Sequence, residues 1–359
     1  MKSCERNAKQ SPMRKLYQKV GLSGPTMLIL GLGMLLVPLL PGEYPVIVAV
    51  EILILGLFAL SFNLIYGYMG QISFGHAAFF GIGAYGTAII MRAAMANTGE
   101  MEYAFFFLAL VAAIPVAAFA SLIVGFFCIR LTGIYFAILS MAFGELLFYI
   151  VFSWYGFTGG DNGIQGLVPP SFFKNSVHYY YLTIFVVYIA VAALWHITRS
   201  PFGYTLRLLR ENQQRAAFLG INVRKCMLIN FVIAGAFAGI AGALWCPFQR
   251  SVSPVMLGWG QSGVAVFMAL IGGSDFFAGP LVGSIVYTFL NAYVTRFTMY
   301  WPLTIGLIIL FIVLFIPGGL LSLADKKIRH RQASRHSKTA SEHDKLSINQ
   351  GVEDDPNHP

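Results

Sequence analysis

The sequence contains very little charge. Only 11% of its 359 residues are Asp, Glu, Lys or Arg, against about 25% in soluble domains. Apolar residues make up 57%, and the mean hydropathy is +0.70. This composition excludes an ordinary soluble enzyme and a disordered chain, and the long charge-free runs do not alternate as the strands of a β-barrel do. We therefore predict an all-α, polytopic membrane protein with about ten transmembrane helices.

Motifs for catalysis or metal binding are also missing. The four cysteines are far apart and no CxxC occurs, so neither a disulfide framework nor a cysteine metal site is expected. The seven histidines include no HExxH, and no GxxxxGK[ST] occurs. The Gly-rich segment GGSDFFAGP at 272–280 carries no lysine, so it is not a P-loop. We expect no metal, no cofactor and no enzymatic activity in this chain.

Ten apolar segments are predicted to cross the membrane. The first, Thr26–Leu40, resembles the core of a secretory signal, but no small-x-small cleavage site follows it, so an uncleaved span is favoured. This segment and Ser262–Gly273 are short and could be tilted, broken or re-entrant. The other predicted spans are Pro45–Tyr66, Gly67–Met91, Tyr103–Cys128, Leu131–Trp154, Tyr179–Thr198, Met227–Pro247, Phe276–Thr295 and Tyr300–Leu323.

Basic segments predict the orientation of the chain. Residues 1–25, the loop 199–225 and Lys326–Arg335 are all basic, which places them in the cytoplasm by the positive-inside rule. Six predicted spans precede the loop and four follow it, so the parity is consistent. We therefore expect a basic cytoplasmic N-terminus at 1–25, a transmembrane domain at 26–324 that includes the cytoplasmic loop, and a disordered cytoplasmic tail at 325–359.

One predicted span is unusually rich in glycine. Glycine lets neighbouring helices approach closely and lets a helix break. The pattern therefore indicates either a helix that lines a pathway or simple close packing. His76 in the same segment either contacts a transported molecule or hydrogen-bonds a neighbouring helix. The glycines are Gly67, Gly70, Gly75, Gly81, Gly83 and Gly86.

Two carboxylates lie within predicted spans. Glu145 is near the middle of its span, where a charged group is costly, so it should face the bundle interior and have a partner. It is either a polar contact of a pathway or gate, or a structural hydrogen bond between helices. Glu51 lies close to the outer end of its span, from where it can reach the membrane surface.

The loop 199–225 contains the start and stop signals of two short helices. Ser200 before Pro201 is typical of an N-cap and a first turn. A second helix, Gln213–Leu219, can begin after Asn212 as its cap and end at Gly220. Such a helix either inserts into a groove on a partner or lies on anionic lipid, and the residues alone leave both open.

Five motifs in order carry a resemblance to a known family. They are GYMGQISFGHAAFFGIGAY at 67–85, RLTGIYFAILSMAFGE at 130–145, TGGDNGI at 158–164, SPFGYTLRLLRENQQRAAFLGINV at 200–223 and FVIAGAFAGIAGALW at 231–245. Over residues 45–323 the chain resembles the LivM-type permease subunit of bacterial branched-chain amino-acid ABC importers.

The resemblance implies a ten-helix importer fold shared with ribose-type permeases. It implies a LivH-like homologous permease, two cytoplasmic ATPase subunits that bind the ATP, and a periplasmic binding protein as partners. The location is then the bacterial cytoplasmic membrane, and no nucleic-acid partner is expected. It also favours ATPase docking of the loop, with these coupling residues: Arg210, Glu211, Asn212, Arg215, Ala216, Ala217, Leu219 and Gly220.

The expected function is translocation of leucine, isoleucine and valine, with urea or short amides as the alternative. We expect the pathway at the contact with the homologous permease. A secondary transporter would need ion-coupling groups in the membrane, for which only Glu145 and Glu51 are candidates. A membrane enzyme would need clustered His, Asp or Glu, and none cluster. The expected pathway residues are Gly70, Ser73, Gly75, His76 and Glu145.

Overall fold

The computed structural model describes residue 38 and residues 42–98, 101–297, 299–316 and 318–322. The predicted span Thr26–Leu40, apart from residue 38, and the segments 1–25 and 325–359 lie outside the described residues. The α-helices in the described part are α1 (Tyr44–Asn63), α2 (His76–Thr98), α3 (Tyr103–Cys128), α4 (Ile134–Ser153), α5 (Tyr155–Thr158), α6 (Ser176–Arg199), α7 (Pro201–Glu211), α8 (Gln213–Phe218), α9 (Val223–Gln249), α10 (Trp259–Gly272), α11 (Gly279–Phe297) and α12 (Trp301–Phe315).

The predicted all-α membrane architecture is confirmed. Within the described ranges, seven helical segments are long and apolar enough to cross a membrane. They correspond to α1, α2, α3, α4, α6, α9 and α12. The α10 helix is a shorter apolar helix of 14 residues, as expected for the short predicted segment Ser262–Gly273. The bounds of α3 coincide with the predicted span Tyr103–Cys128.

The span predicted at Gly67–Met91 begins later in the structure. The α1 helix continues through a π-helical turn, Leu64–Tyr68, and α2 begins only at His76. Gly70 has φ +74°, a left-handed conformation that ends helices and favours glycine. Its N–H bonds to the Tyr66 carbonyl oxygen at 3.1 Å. The intervening residues 69–75 form a break between the two helices.

The centre of the bundle consists of helices that touch backbone to backbone. α1 is buried along most of its length, and α9 packs against both α2 and α3. A Cβ at Gly83 would lie 2.2 Å from the Gly239 carbonyl oxygen, and one at Gly283 would lie 1.8 Å from the Met268 carbonyl oxygen. The sequence has GxxxG motifs at Gly235–Gly239 and Gly279–Gly283, and both lie at these tight helix contacts.

The outer helices expose large apolar side chains. Phe119 on α3, Ile134 on α4 and Phe185 on α6 are each more than half exposed. Such a surface fits lipid or another membrane subunit rather than water. On one side of the bundle a two-stranded antiparallel ladder, β1 (Ile164–Gln165) with β2 (Ser251–Val252), joins the loop after α4 to the end of α9.

Candidate functional site

The N-terminal ends of α2 and α10 lie side by side inside the bundle. Ala77, in the first turn of α2, donates its N–H to the Ser262 hydroxyl oxygen on α10 at 2.9 Å. A helix N-terminus has N–H groups without intrahelical partners and carries a partial positive charge. This bond satisfies one of those groups of α2 and fixes the two helix ends to each other.

Glu145 meets the same place from α4. Its Oε1 accepts a hydrogen bond from the N–H of Trp259, the first residue of α10, at 3.0 Å. A Cβ at the preceding residue, Gly144, would lie 2.8 Å from the Cα of Gly75 in the break. The carboxylate therefore caps α10, and the predicted interhelical partner of Glu145 is a backbone N–H. A negative charge is favourable at that position.

A cavity of about 670 Å³ opens beside Glu145. Its polar side chains come from Glu145, Gln261 and Tyr287, and Gly258, Trp259 and Gly260 also line it. Apolar side chains line the remainder: Phe148, Val255, Val264, Phe267, Pro302 and Ile305. The cavity thus combines one carboxylate with a largely aliphatic and aromatic wall.

His76 is enclosed rather than open to this cavity. Its ring is fully buried, and its Nε2 lies 2.9 Å from the Ser61 hydroxyl oxygen. Since Ser61 donates its own proton to the Phe58 carbonyl oxygen at 2.7 Å, the histidine Nε2–H is the donor to Ser61. The ring also stacks on Phe58. Ser73 is likewise fully buried. Neither residue lines the cavity.

The loop 199–225 forms two helices joined by a cap. The Asn212 side chain accepts from the Arg215 N–H at 2.9 Å, as predicted for an N-cap of α8. Gly220 has φ +81°, and the N–H of Ile221 bonds to the Ala216 carbonyl oxygen at 3.2 Å. Together with the bond from Gly220 to Ala217, this is a Schellman ending, so the predicted stop is confirmed.

The prediction that Ser200 caps α7 is correct for its position and wrong for its hydrogen bond. Ser200 occupies the N-cap position of α7, and Pro201 is its first residue. The Ser200 hydroxyl donates backwards to the Ile197 carbonyl oxygen at 2.7 Å and makes no cap bond to α7. The reason is that α6 ends immediately before Ser200, so unpaired carbonyl groups of α6 compete for the hydroxyl.

The predicted coupling residues divide between two environments. Ala216 is fully buried, so the small side chain lets α8 dock on the bundle. Phe218 and Leu219 are 91% and 71% exposed. Glu211, Arg215, Ala217 and Gly220 are exposed as well. The described part of α8 therefore presents an apolar tip surrounded by polar groups.

Arg210 behaves differently from these neighbours. Its guanidinium Nη1 donates to the Gly67 carbonyl oxygen at 2.6 Å, and its Nη2 lies 2.8 Å from Asp275 Oδ1. Its Cγ packs over Gly70, where a Cβ would lie only 2.8 Å away. The structure thus brings Gly70 to Arg210, whereas it brings Gly75 to Ser140 and Gly144 of α4, next to Glu145 in the sequence.

Sequence reasoning did not identify the partners of these residues. Ser61, Ser262 and Asp275 each lie far along the chain from the residue that they contact. Asp275 belongs to the GGSDFFAGP segment, for which the sequence indicated only that it is not a P-loop. The sequence does contain a signal at the start of α10, because the segment GWGQSG at 258–263 has three glycines, like the glycine-rich segment around the break 69–75.

Comparison with known proteins decides the family. The family described as "Branched-chain amino acid transport system / permease component" has a sequence model that matches residues 44–317. The chain belongs to this family. It is 23% identical over 312 residues to the high-affinity branched-chain amino-acid transport system permease protein LivM of Escherichia coli strain K12, which covers 78% of this chain and 71% of LivM.

Other permease proteins are also similar to this chain. A probable branched-chain amino acid transport permease protein LivH of Methanocaldococcus jannaschii is 26% identical over 61% of this chain and 67% of its own. The guanosine ABC transporter permease protein NupP of Bacillus subtilis is 37% identical over 26% of this chain and 28% of its own. No solved structure matches the chain significantly. The family and the apolar helices identify a multi-pass transport permease.

Proposed function

We propose that this chain is the permease subunit of an ATP-binding cassette importer that moves leucine, isoleucine and valine across the bacterial cytoplasmic membrane. The observation that carries the proposal is the family match over residues 44–317. In this proposal two separate ATPase subunits bind and hydrolyse ATP, as the resemblance implies, and this sequence itself holds no P-loop motif. A LivH-like permease and a periplasmic binding protein complete the importer.

The α8 helix is the element that receives the ATPase movement. Phe218 and Leu219 are exposed on it, although the loop around them is polar. Apolar side chains projecting from a short capped helix suit a groove on a partner protein. Caps at both ends, from Asn212 and Gly220, keep this helix of six residues ordered, so it can transmit a displacement. The loop and both chain termini face the cytoplasm in this proposal.

The translocation pathway lies at the contact with the homologous permease, on the face that contains the Glu145 cavity. Glu145 is the twelfth of the twenty residues of α4, so the start of α10 that it caps is near the middle of the membrane. The segment before α10, which contains the short 3₁₀ turn Pro254–Leu257, reaches this depth as well, and Val255 in it is 74% exposed. Lipid cannot satisfy a carboxylate and irregular backbone there, so a protein surface must cover them.

The pathway residues then have two roles. Glu145 faces the moving substrate, and the apolar wall with Phe148 and Val264 passes an aliphatic side chain without holding it tightly. Gly70, Ser73, Gly75 and His76 do not line the cavity. They act by allowing α2 to change its position relative to α4, because the break lets the helix end move without unfolding.

Uptake measurements test the proposal. Cells that express this chain with its sister permease, ATPases and binding protein should accumulate labelled leucine, isoleucine and valine in an ATP-dependent manner. Cells that lack this gene should not. Accumulation of urea but of none of the three amino acids would establish the amide alternative. Vesicles that contain this chain alone and still accumulate leucine would refute the heteromeric importer and favour a secondary transporter.

A further inference from the structure

Arg210 joins three segments that are distant in the sequence. It lies in the last turn of the α7 helix, its Nη1 donates to the Gly67 carbonyl oxygen at 2.6 Å, and its Nη2 bonds to Asp275 Oδ1 at 2.8 Å. Gly67 belongs to the π-helical turn that ends α1, and Asp275 lies in the turn between α10 and α11. One guanidinium therefore holds α7, the end of α1 and the end of α10 together.

The local geometry selects arginine for this position. Carbonyl groups at a helix C-terminus lack intrahelical partners, and a cation is favourable there. The planar guanidinium presents separate, directed N–H groups to the carbonyl and to the carboxylate, which a lysine ammonium does not. Gly67 leaves room for this arrangement, since a Cβ there would lie 2.4 Å from the Ser274 carbonyl oxygen. Gly70 leaves room for the Arg210 side chain itself.

The two segments held by Arg210 are joined in the chain to α2 and to α10. The π-helical turn continues through the break 69–75 into α2, and Asp275 comes just after α10. The N-terminal ends of α2 and α10 are themselves joined by the bond from Ala77 to Ser262. On the other side, Arg210 is followed almost directly by Asn212, the cap of α8. Arg210 therefore connects the start of α8 to the segment before α2 and to the turn after α10.

We propose that Arg210 is the positioning residue that makes α2 and α10 respond together when α8 is displaced. The inference rests on the proposed function and deepens it, because it changes the role of Arg210 from a contact with the ATPase to a contact within the permease. Asp275 and the Gly67 carbonyl group are its two partners. The side chains of Arg210 and Asp275 are 40% and 60% exposed, so their ion pair adds little to folding. Its loss should therefore uncouple movement without unfolding the protein.

The test uses the complete importer reconstituted into vesicles, with ATP hydrolysis and amino-acid uptake measured on the same preparation. Arg210→Ala should assemble and hydrolyse ATP, but uptake per ATP hydrolysed should fall by about fivefold or more. Asp275→Asn preserves shape and removes only the charge, and it should lower the same ratio. Arg224→Ala is the matched control, because it removes an exposed positive charge from the same cytoplasmic surface. It should leave the ratio unchanged.

A labelling experiment separates a positioning role from a merely structural one. A cysteine at Gly260, where a Cβ meets no neighbouring atom within 4 Å, reports the start of α10. The rate at which this cysteine reacts with a thiol reagent should change when a non-hydrolysable ATP analogue binds to the importer. Arg210→Ala should abolish that change in rate.

The outcomes distinguish the two proposals. If the unaltered importer shows no ATP-dependent uptake, the proposed function itself is wrong. If it transports while Arg210→Ala and Asp275→Asn both keep its uptake per ATP, the inference about Arg210 is wrong and the proposed function stands. Failure of Arg210→Ala to assemble, combined with normal coupling in Asp275→Asn, would also overturn the inference.

Discussion

A glycine pair on α2 offers a test of the packing with an internal control. Gly83 and Gly86 lie three residues apart on the same helix. A Cβ at Gly83 would lie 2.2 Å from the carbonyl oxygen and 2.5 Å from the Cα of Gly239. A Cβ at Gly86 would find its nearest neighbour, a Val116 methyl group, at 3.9 Å, which is ordinary contact. The same substitution, glycine to alanine, therefore meets a backbone in one case and makes ordinary van der Waals contact in the other.

The expected magnitude follows from two opposing effects. Alanine is better than glycine in a helix interior by about 1 kcal/mol, and this gain applies equally to both positions. Overpacking costs about 1–3 kcal/mol, and it applies only at Gly83, where the obstacle is backbone that cannot rotate away. Gly86→Ala should therefore be neutral or stabilising, and Gly83→Ala should be less stable than Gly86→Ala by about 1–3 kcal/mol. That difference corresponds to a separation in Tm on the order of 5 °C.

The assay heats membranes that contain each variant with a fluorescent fusion, and then measures the monodisperse fraction after solubilisation. Both variants carry the same added methyl group, so differences in expression or in detergent affect them alike. Equal melting temperatures would mean that α2 and α9 do not approach as closely as the structure describes, and the account of their backbone contact would be wrong.

Three further predictions concern the loop, the orientation and a buried hydrogen bond. Gly220→Val should abolish uptake while the chain still inserts, because the left-handed backbone at φ +81° penalises a β-branched residue, whereas Gly220→Asn should keep most of the activity. In a background without native cysteines, a cysteine at Lys174 should react with an impermeant thiol reagent from outside the cell and one at Arg215 only from inside; external labelling at Arg215 would refute the orientation. Tyr179→Phe removes the hydroxyl that donates to the Leu244 carbonyl oxygen, and it should lower the stability by about 1 kcal/mol in the same heating assay, with no change in substrate preference.

Much of the fold could be predicted from the sequence because local signals mark it. Charged residues at Glu102 and Arg130 bound the apolar run of α3, and its ends were predicted without error. Asn212 and Gly220 are caps whose chemistry acts within one turn, so the ends of α8 were predictable as well. Such features depend on neighbours in the chain and require no knowledge of the packing.

The remaining features depend on contacts between distant segments. The start of α2 at His76 could not be read from its glycine-rich segment, because Gly75 and Gly81 are equally permissive of a break. What fixes the start is the bond of Ala77 to Ser262, 185 positions away. The hydroxyl of Ser200 was assigned to the helix that follows it, although the end of the preceding helix uses it. The contacts of Arg210 with Gly67 and Asp275 also join distant segments, so local sequence patterns did not predict them.

The arrangement around Glu145 also has an electrical consequence. Each helix N-terminus carries about half a positive elementary charge, so α2 and α10 together roughly balance the one negative charge of the Glu145 carboxylate. A zwitterionic amino acid is neutral overall, and a balanced site needs no cation that would move with the substrate, so its passage moves no net charge through the membrane. The membrane potential contributes about 2.3 kcal/mol per charge per 100 mV. In the proposed importer that contribution vanishes for the substrate step, and ATP hydrolysis alone sets the direction of transport.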